Sequence, residues 1–233
     1  MAASEFTAAE VEKVLKKYPR LKQVSSGVLE GVLDMHAAFG EEELKDEFNI
    51  RITAINPNSE RIPALYEVGG RTQTIGKKHG IPDLRDLHLN PDKTSCVCVK
   101  QKEKEKYPPG SDLFTFVEDI AVPFLYWLSY YDKHGRKAWD DYAHGTVGLL
   151  EFYSDAIVEQ TREDIEEIAE AIKRDHDWKK YSKLIRRPSE DKACICGSGK
   201  RFQFCHPRAL QGVLRLNEDL KRLKLNPYKL YRR

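Results

Sequence analysis

The sequence predicts an α+β protein: an antiparallel sheet flanked by helices, followed by a small metal-binding module. Three observations carry this. A capped amphipathic helix and three strand-like runs occupy residues 8–68 in order. From Asp112 onward the pattern is helical, first apolar on nearly every side and then striped. Near the end, Cys194, Cys196, Cys205 and His206 form a C-x-C…C-H cluster. A chain of 233 residues can hold one fair-sized domain and a small module, which the polar, proline-containing stretch after Ile185 divides as 1–185 and 186–233.

Thr7-Ala8-Ala9-Glu10 is a capping box, so the first helix runs from about Ala8 to Lys17 and presents Val11, Val14 and Leu15. Pro19 ends it. Gly27–Phe39 is the first strand-like run, Phe48–Ile55 the second with strict alternation, and Ile62–Val68 the third, closed by Gly69-Gly70. Asp112–Tyr131 is an aromatic helix, and Pro123 should kink it or end its first part. Ala138–Gly145 presents Trp139 and His144. Thr146 to about Arg174 reads as one helix, with an apolar stripe of Ile165, Ile168, Ala169 and Ile172. A last helix spans Arg208–Leu223.

Between the strands and the aromatic helix lies the stretch D-L-H-L-N-P-D-K-T-S-C-V-C-V-K, Asp86–Lys100. Ser95–Val99 alternates small or polar residues with β-branched valines, which favours an extended segment. A cysteine there can act as an acyl carrier, because a thiolate attacks a carbonyl and later leaves when an amine arrives. An asparagine amide on the preceding loop is a suitable donor to the oxyanion of that transfer. The same cysteine between two valines also suits a small buried hydrophobe, and Cys96 with Cys98 suits half of a metal site.

This stretch resembles the active-site loop of ubiquitin-conjugating enzymes, with His88-Leu89-Asn90 in place of H-P-N and Val97-Cys98-Val99 around the cysteine. It departs from that pattern at Leu89, where the family has proline, and at Lys93 or Thr94, where the loop often has glycine. The order of one helix, a strand meander, the proline-containing run at Ile62–Glu67, the loop, an aromatic helix and then Trp139, Tyr142, His144 and Gly145 resembles a bacterial branch of the family. The resemblance implies a thioester at Cys98, oxyanion stabilisation by Asn90 and a loop-holding role for His88. Stand-alone bacterial proteins of this type resemble the conjugating component of anti-phage (CBASS) operons. There the implied partner is a cGAS-like cyclic-oligonucleotide synthase, whose C-terminus is the group transferred. The acceptor of that group stays unknown, and a homo-oligomer stays open.

The C-terminal cluster offers four soft or borderline ligands around a glycine-containing turn, the donor set of a closed tetrahedral zinc site. Phe202 and Phe204 are placed to pack beneath it. With its G-S-G-K run it resembles the SEC-C motif, which implies docking toward a protein partner.

Composition narrows the class. Hydrophobic content of 40% with 33% charged residues suits a soluble globular protein. No apolar run approaches the ~18 residues of a membrane span, and no secretory signal opens the chain. Five cysteines in two tight clusters predict reduced thiols and metal rather than disulfides, hence a cytoplasmic protein. His176–Arg233 holds 16 Lys or Arg against 5 Asp or Glu, so the net charge of +2 hides a basic C-terminal region and an acidic remainder. Two rivals to the enzyme reading follow. One is a non-catalytic, zinc-anchored adaptor of a cGAS-like synthase. The other, disfavoured, is a nucleic-acid binder that uses the basic region.

Overall fold

Thr7 starts the first helix by satisfying a backbone donor that no helical carbonyl can reach. In this computed structural model, which describes residues 5–156 and 159–230, the Thr7 hydroxyl accepts from the Glu10 N–H at 3.3 Å and the Glu10 carboxylate accepts from the Thr7 N–H at 2.9 Å. Helix α1 (Ala8–Lys17) buries Val11 and Val14. Strands β1 (Leu21–Ser25), β2 (Val28–Phe39), β3 (Glu42–Thr53) and β4 (Ala64–Glu67) follow as an antiparallel meander in the order β1-β2-β3-β4.

The register explains the core. Leu29 pairs with Ile52 and Leu33 with Phe48, and these four side chains with Met35, Ile50 and Leu65 are almost wholly buried. Residues two apart share a face, so one face of the sheet is apolar and the other carries Asp34, His36, Asn49 and Arg51 toward water. Two features escape the sequence pattern. Strand β1 buries only Leu21, as an edge strand can, and so lacks alternation. Strand β3 begins at Glu42 rather than Phe48, because its first half is a charged, mostly exposed hairpin arm.

Helix α2 (Arg71–His79), which the sequence pattern does not reveal, follows β4 and exposes most of its polar residues. After short 3-10 turns at Leu84–Leu87 and Lys100–Lys102 comes the single-turn helix α3 (Glu103–Lys106). Asp112 then caps a continuous helical run: α4 (Leu113–Phe116), a π-helical segment at Val117–Ala121, and α5 (Val122–His134). Pro123 cannot donate to the preceding turn and would crowd a carbonyl one turn back. The widened π turn just before it relieves that conflict, so the helix is neither ended nor sharply broken there. Trp127 and Tyr126 of α5 are each 2% exposed and form the aromatic floor of this core.

The chain divides into two compact units, Met1–Asp140 and Asp141–Arg233. This division lies well before the polar stretch after Ile185. The second unit explains why. Helices α6 (Gly145–Ser154), α7 (Arg162–Arg174), α8 (Trp178–Arg186) and α10 (Pro207–Arg222) share one core, and Cys194 and Phe202 belong to it. The metal-type cluster is therefore part of a helical unit rather than an appendage. The single helix expected over 146–174 is two helices. Thr161 and Asp164 form a second capping box that restarts the chain as α7. Helices α6 and α10 touch backbone to backbone: a Cβ on Gly212 would lie 1.8 Å from the Leu150 carbonyl oxygen. The short helices α9 (Phe202–Cys205) and α11 (Pro227–Leu230) complete the unit. Among the described residues, no helix is long and apolar enough to cross a membrane.

Candidate functional site

The loop between His88 and Cys96 is built by its own backbone. The Cys96 N–H donates to the His88 carbonyl at 2.7 Å and the Asn90 N–H to the Thr94 carbonyl at 2.9 Å. The Ser95 N–H donates to the Leu65 carbonyl at 2.7 Å, which seats the loop on β4. Two corners use left-handed backbone, at His88 (φ 59°) and Lys93 (φ 71°). Glycine takes this conformation without strain, so Lys93 holds its corner at some conformational cost. Ser95–Val99 forms no regular strand: an isolated bridge joins Leu89 to Ser95, and the chain then leaves the sheet.

Thr94 is the hub of the loop. Its hydroxyl accepts from the Asn90 amide and the Asn58 amide, each at 2.9 Å, and donates to Asp92 at 2.7 Å. Burial works against ionisation of Asp92, yet the hydrogen bonds from Thr94 and Asn58 hold its carboxyl below the usual range. Asn90 thus spends one amide hydrogen on the loop; a primary amide has a second to give. The His88 ring stands edge-on to Trp127, with centroids 4.9 Å apart, so it fixes the loop against α5.

Cys98 follows as a half-buried side chain packed, with Val97, on the first unit's core. Burial pushes its thiol up to about 12; the charge of Glu103 and the neighbouring Cys96 add to this, and Lys106 opposes it. Glu103 is a buried carboxylate, 4% exposed, that accepts a 2.7 Å hydrogen bond from the Ser59 hydroxyl. Burial raises its pKa, while Ser59, Lys100 and Arg61 pull the other way. Glu103 and Ser59 are not marked by the sequence: Glu103 lies inside K-Q-K-E-K-E-K, which reads as a solvated charge run.

Trp139 packs against Phe39 and Tyr126, with centroids 4.9 and 6.1 Å away. In the second unit, His144 takes the N-cap position of α6 without a side-chain capping bond, and the Tyr142 hydroxyl donates to Asp155 at 3.0 Å.

The second unit also brings together Cys194, Cys196, Cys205 and His206, whose ligand atoms all lie within 4.8 Å of one another. Cys194 Sγ is 3.2 Å from His206 Nδ1, and Cys196 Sγ is 3.6 Å from Cys205 Sγ. A tetrahedron of ~2.3 Å zinc–sulfur bonds has edges of about 3.8 Å, so the four residues could hold a metal ion, and zinc is compatible. The turn is closed by the Cys194 N–H donating to the Lys200 carbonyl at 2.7 Å, with Gly197 and Gly199 at positive φ. The Ser198 hydroxyl lies 3.1 Å from Cys205 Sγ, as a second-layer donor to a thiolate would. Phe202 is 1% exposed beneath the cluster, but Phe204 is 74% exposed and does not pack there.

No protein-family model matches the chain, and comparisons with curated proteins and with solved structures found no match either.

Proposed function

We propose that the chain is an acyl carrier of the ubiquitin-conjugating type, with Cys98 as the thioester-forming residue. The observation that carries this reading is the loop itself. It is pinned to β4, to α5 and through Thr94, and it ends at a half-buried, half-accessible thiol on the same unit as the Asn90 amide. A helix followed by an antiparallel meander is also the entry order of that fold.

In the first step the Cys98 sulfur bonds to the carbonyl carbon of an activated C-terminal acyl group. The bond to the leaving group breaks, and the thiol proton leaves with that group. An amine then attacks the thioester, the C–S bond breaks, and a proton returns to the sulfur. The second hydrogen of the Asn90 amide would stabilise the oxyanion of each step, and His88 would hold the loop. The transferred protein in this reading is a cGAS-like cyclic-oligonucleotide synthase in anti-phage defence, acting in the cytoplasm. Cys194, Cys196, Cys205 and His206 would hold one zinc ion per chain in a SEC-C-like structural site; a closed four-ligand site supplies folding energy rather than chemistry.

The test is co-expression with such a synthase. The expected result is an adduct between the two chains that reducing agent removes and that Cys98→Ser abolishes or converts to a reductant-resistant ester. Adducts that persist unchanged in the variant would reject the assignment. A second reading, a zinc-anchored adaptor, is favoured by the strongly protonated Cys98 thiol and by the metal-type cluster's place in a helical core. It predicts synthase binding that survives Cys98→Ser, with no adduct in either form.

A further inference from the structure

We propose that helix α8 presents a binding face for single-stranded nucleic acid. The inference concerns the second unit and stands apart from the chemistry of Cys98. A count of basic residues over 176–233 disfavours such a reading by itself, because solvated helix faces give the same count. The fold adds position. Helix α8 reads W-K-K-Y-S-K-L-I-R, contains no acidic residue, and ends on Arg187 at its C-cap. At about 100° per residue, Lys179, Lys180, Lys183, Arg186 and Arg187 fall within an arc of about 120°. The opposite side buries Tyr181, Ser182, Leu184 and Ile185 in the second unit's core.

An ordinary solvated face looks different, and α7 provides the comparison. It mixes five acidic with three basic residues and joins them in pairs such as Lys173–Glu170 at 2.6 Å. On α8 Lys180 reaches Asp177 at 3.2 Å, whereas exposed Lys179, Lys183 and Arg187 have no carboxylate partner among the described residues. These three are four residues apart, so their charges recur every ~6 Å along one stripe. Like charges at that spacing repel and weaken a helix, and an incoming anion relieves the repulsion.

The kind of anion follows from what surrounds the stripe. The apolar side of α8 is already covered by the core, so it has no free face to sink into a lipid surface. Aromatic rings border the cations at both ends. Trp178 opens the helix, with the Lys179 ammonium 5.8 Å from its ring centroid. Near the other end the Arg186 guanidinium lies 4.8 Å from the centroid of Tyr228, which is 57% exposed. Regularly spaced cations beside an accessible ring match a strand whose phosphates recur at fixed intervals and whose unpaired bases stack on aromatic side chains. An acidic protein offers the charge without the bases.

Fluorescence anisotropy of a labelled oligo-dT of about 20 nucleotides, titrated with full-length protein, tests this. Three to five phosphate contacts on a single strand give a slope of about −2 to −3.5 in log affinity against log salt. From about 50 to 200 mM salt the affinity should therefore fall by roughly twentyfold to a hundredfold. Lys179→Gln, Lys183→Gln and Arg187→Gln together should flatten the slope by about 2 and weaken low-salt binding by roughly tenfold or more. Tyr228→Ala should weaken binding by about fivefold or more and leave the slope unchanged. All four changes fall on exposed side chains, so the melting temperature should stay in place.

Binding that ignores salt, or a triple variant that binds as tightly as the unmodified chain, would overturn the proposal. Polyglutamate that displaces the oligonucleotide equally well at equal charge would overturn it too, and mark the face as one for an acidic protein. Unchanged affinity in Tyr228→Ala, or tighter binding of a duplex of the same length, would overturn the assignment to single strands. The readout involves no cysteine, so this face and the conjugation reading stand or fall separately.

Discussion

The chain contains the same C-x-C spacing twice, and the two copies sit in opposite surroundings. Cys96 and Cys98 lie in a loop whose hydrogen bonds run to β4, where burial, with the charge of Glu103 added, keeps the Cys98 thiol protonated. Cys194 and Cys196 lie on a glycine turn that returns Cys205 and His206 to within bonding range of one ion. Spacing does not decide the chemistry of a cysteine pair. What decides it is the surroundings: the glycine turn gathers Cys205 and His206 around Cys194 and Cys196, whereas Cys98 packs against an apolar core.

The largest effect that could break this contrast is metal removal. A closed tetrahedral site contributes on the order of 10 kcal/mol in small domains, so chelation or Cys205→Ser should unfold much of the second unit. The same treatment should leave the Cys98 loop intact. Metal analysis and thermal melting check this together, and an unchanged melt with no metal bound would refute it. Trp127→Ala is the complementary test. It should destabilise the first unit by about 3–5 kcal/mol through the cavity left behind His88, while metal content stays at one per chain.

A third test separates the cysteines by pH. Ultraviolet thiolate absorbance, taken as the difference from Cys98→Ser, should show Cys98 ionising only toward about 12. The sign follows from linkage. The unfolded thiol ionises near ~8.5, so between that pH and the folded value the folded state binds more protons and its stability falls as pH rises. Ionisation at the ordinary value would mean that burial and Glu103 do not act on the thiol. Smaller still, Thr94→Val removes the hydroxyl shared by Asn90, Asn58 and Asp92 and should cost about 1–3 kcal/mol, with slower Cys98 chemistry. Smallest, Lys93→Gly should relieve a left-handed corner, leaving stability unchanged or raised by up to ~1 kcal/mol. A clear loss would mean that the Lys93 side chain matters.

Much of this arrangement was legible in the residues. The capping box at Thr7, the alternation of Phe48–Ile55 and the four Cys/His ligands are local patterns, and local patterns survive folding. Other parts depend on tertiary context. Strand β1 buries one residue and so leaves no period. The aromatic helix keeps its direction past Pro123 because a π turn absorbs the conflict, which periodicity does not announce. The metal-type cluster looks separable in sequence, yet Phe202 and Cys194 join the core made by α6, α7, α8 and α10. Glu103 was the hardest to see, since one residue of an alternating charge run turns inward only because Ser59 is there to meet it.

The central claim concerns the sulfur of Cys98, and peptide mass spectrometry of a trapped adduct reads it most directly. Protein co-expressed with a cGAS-like synthase should yield one linked peptide joining the synthase's C-terminal carboxyl to Cys98, cleaved by hydroxylamine, and in Cys98→Ser either absent or replaced by a reductant-resistant ester at residue 98. A linked peptide that maps to Cys96, or to no cysteine, would contradict the account.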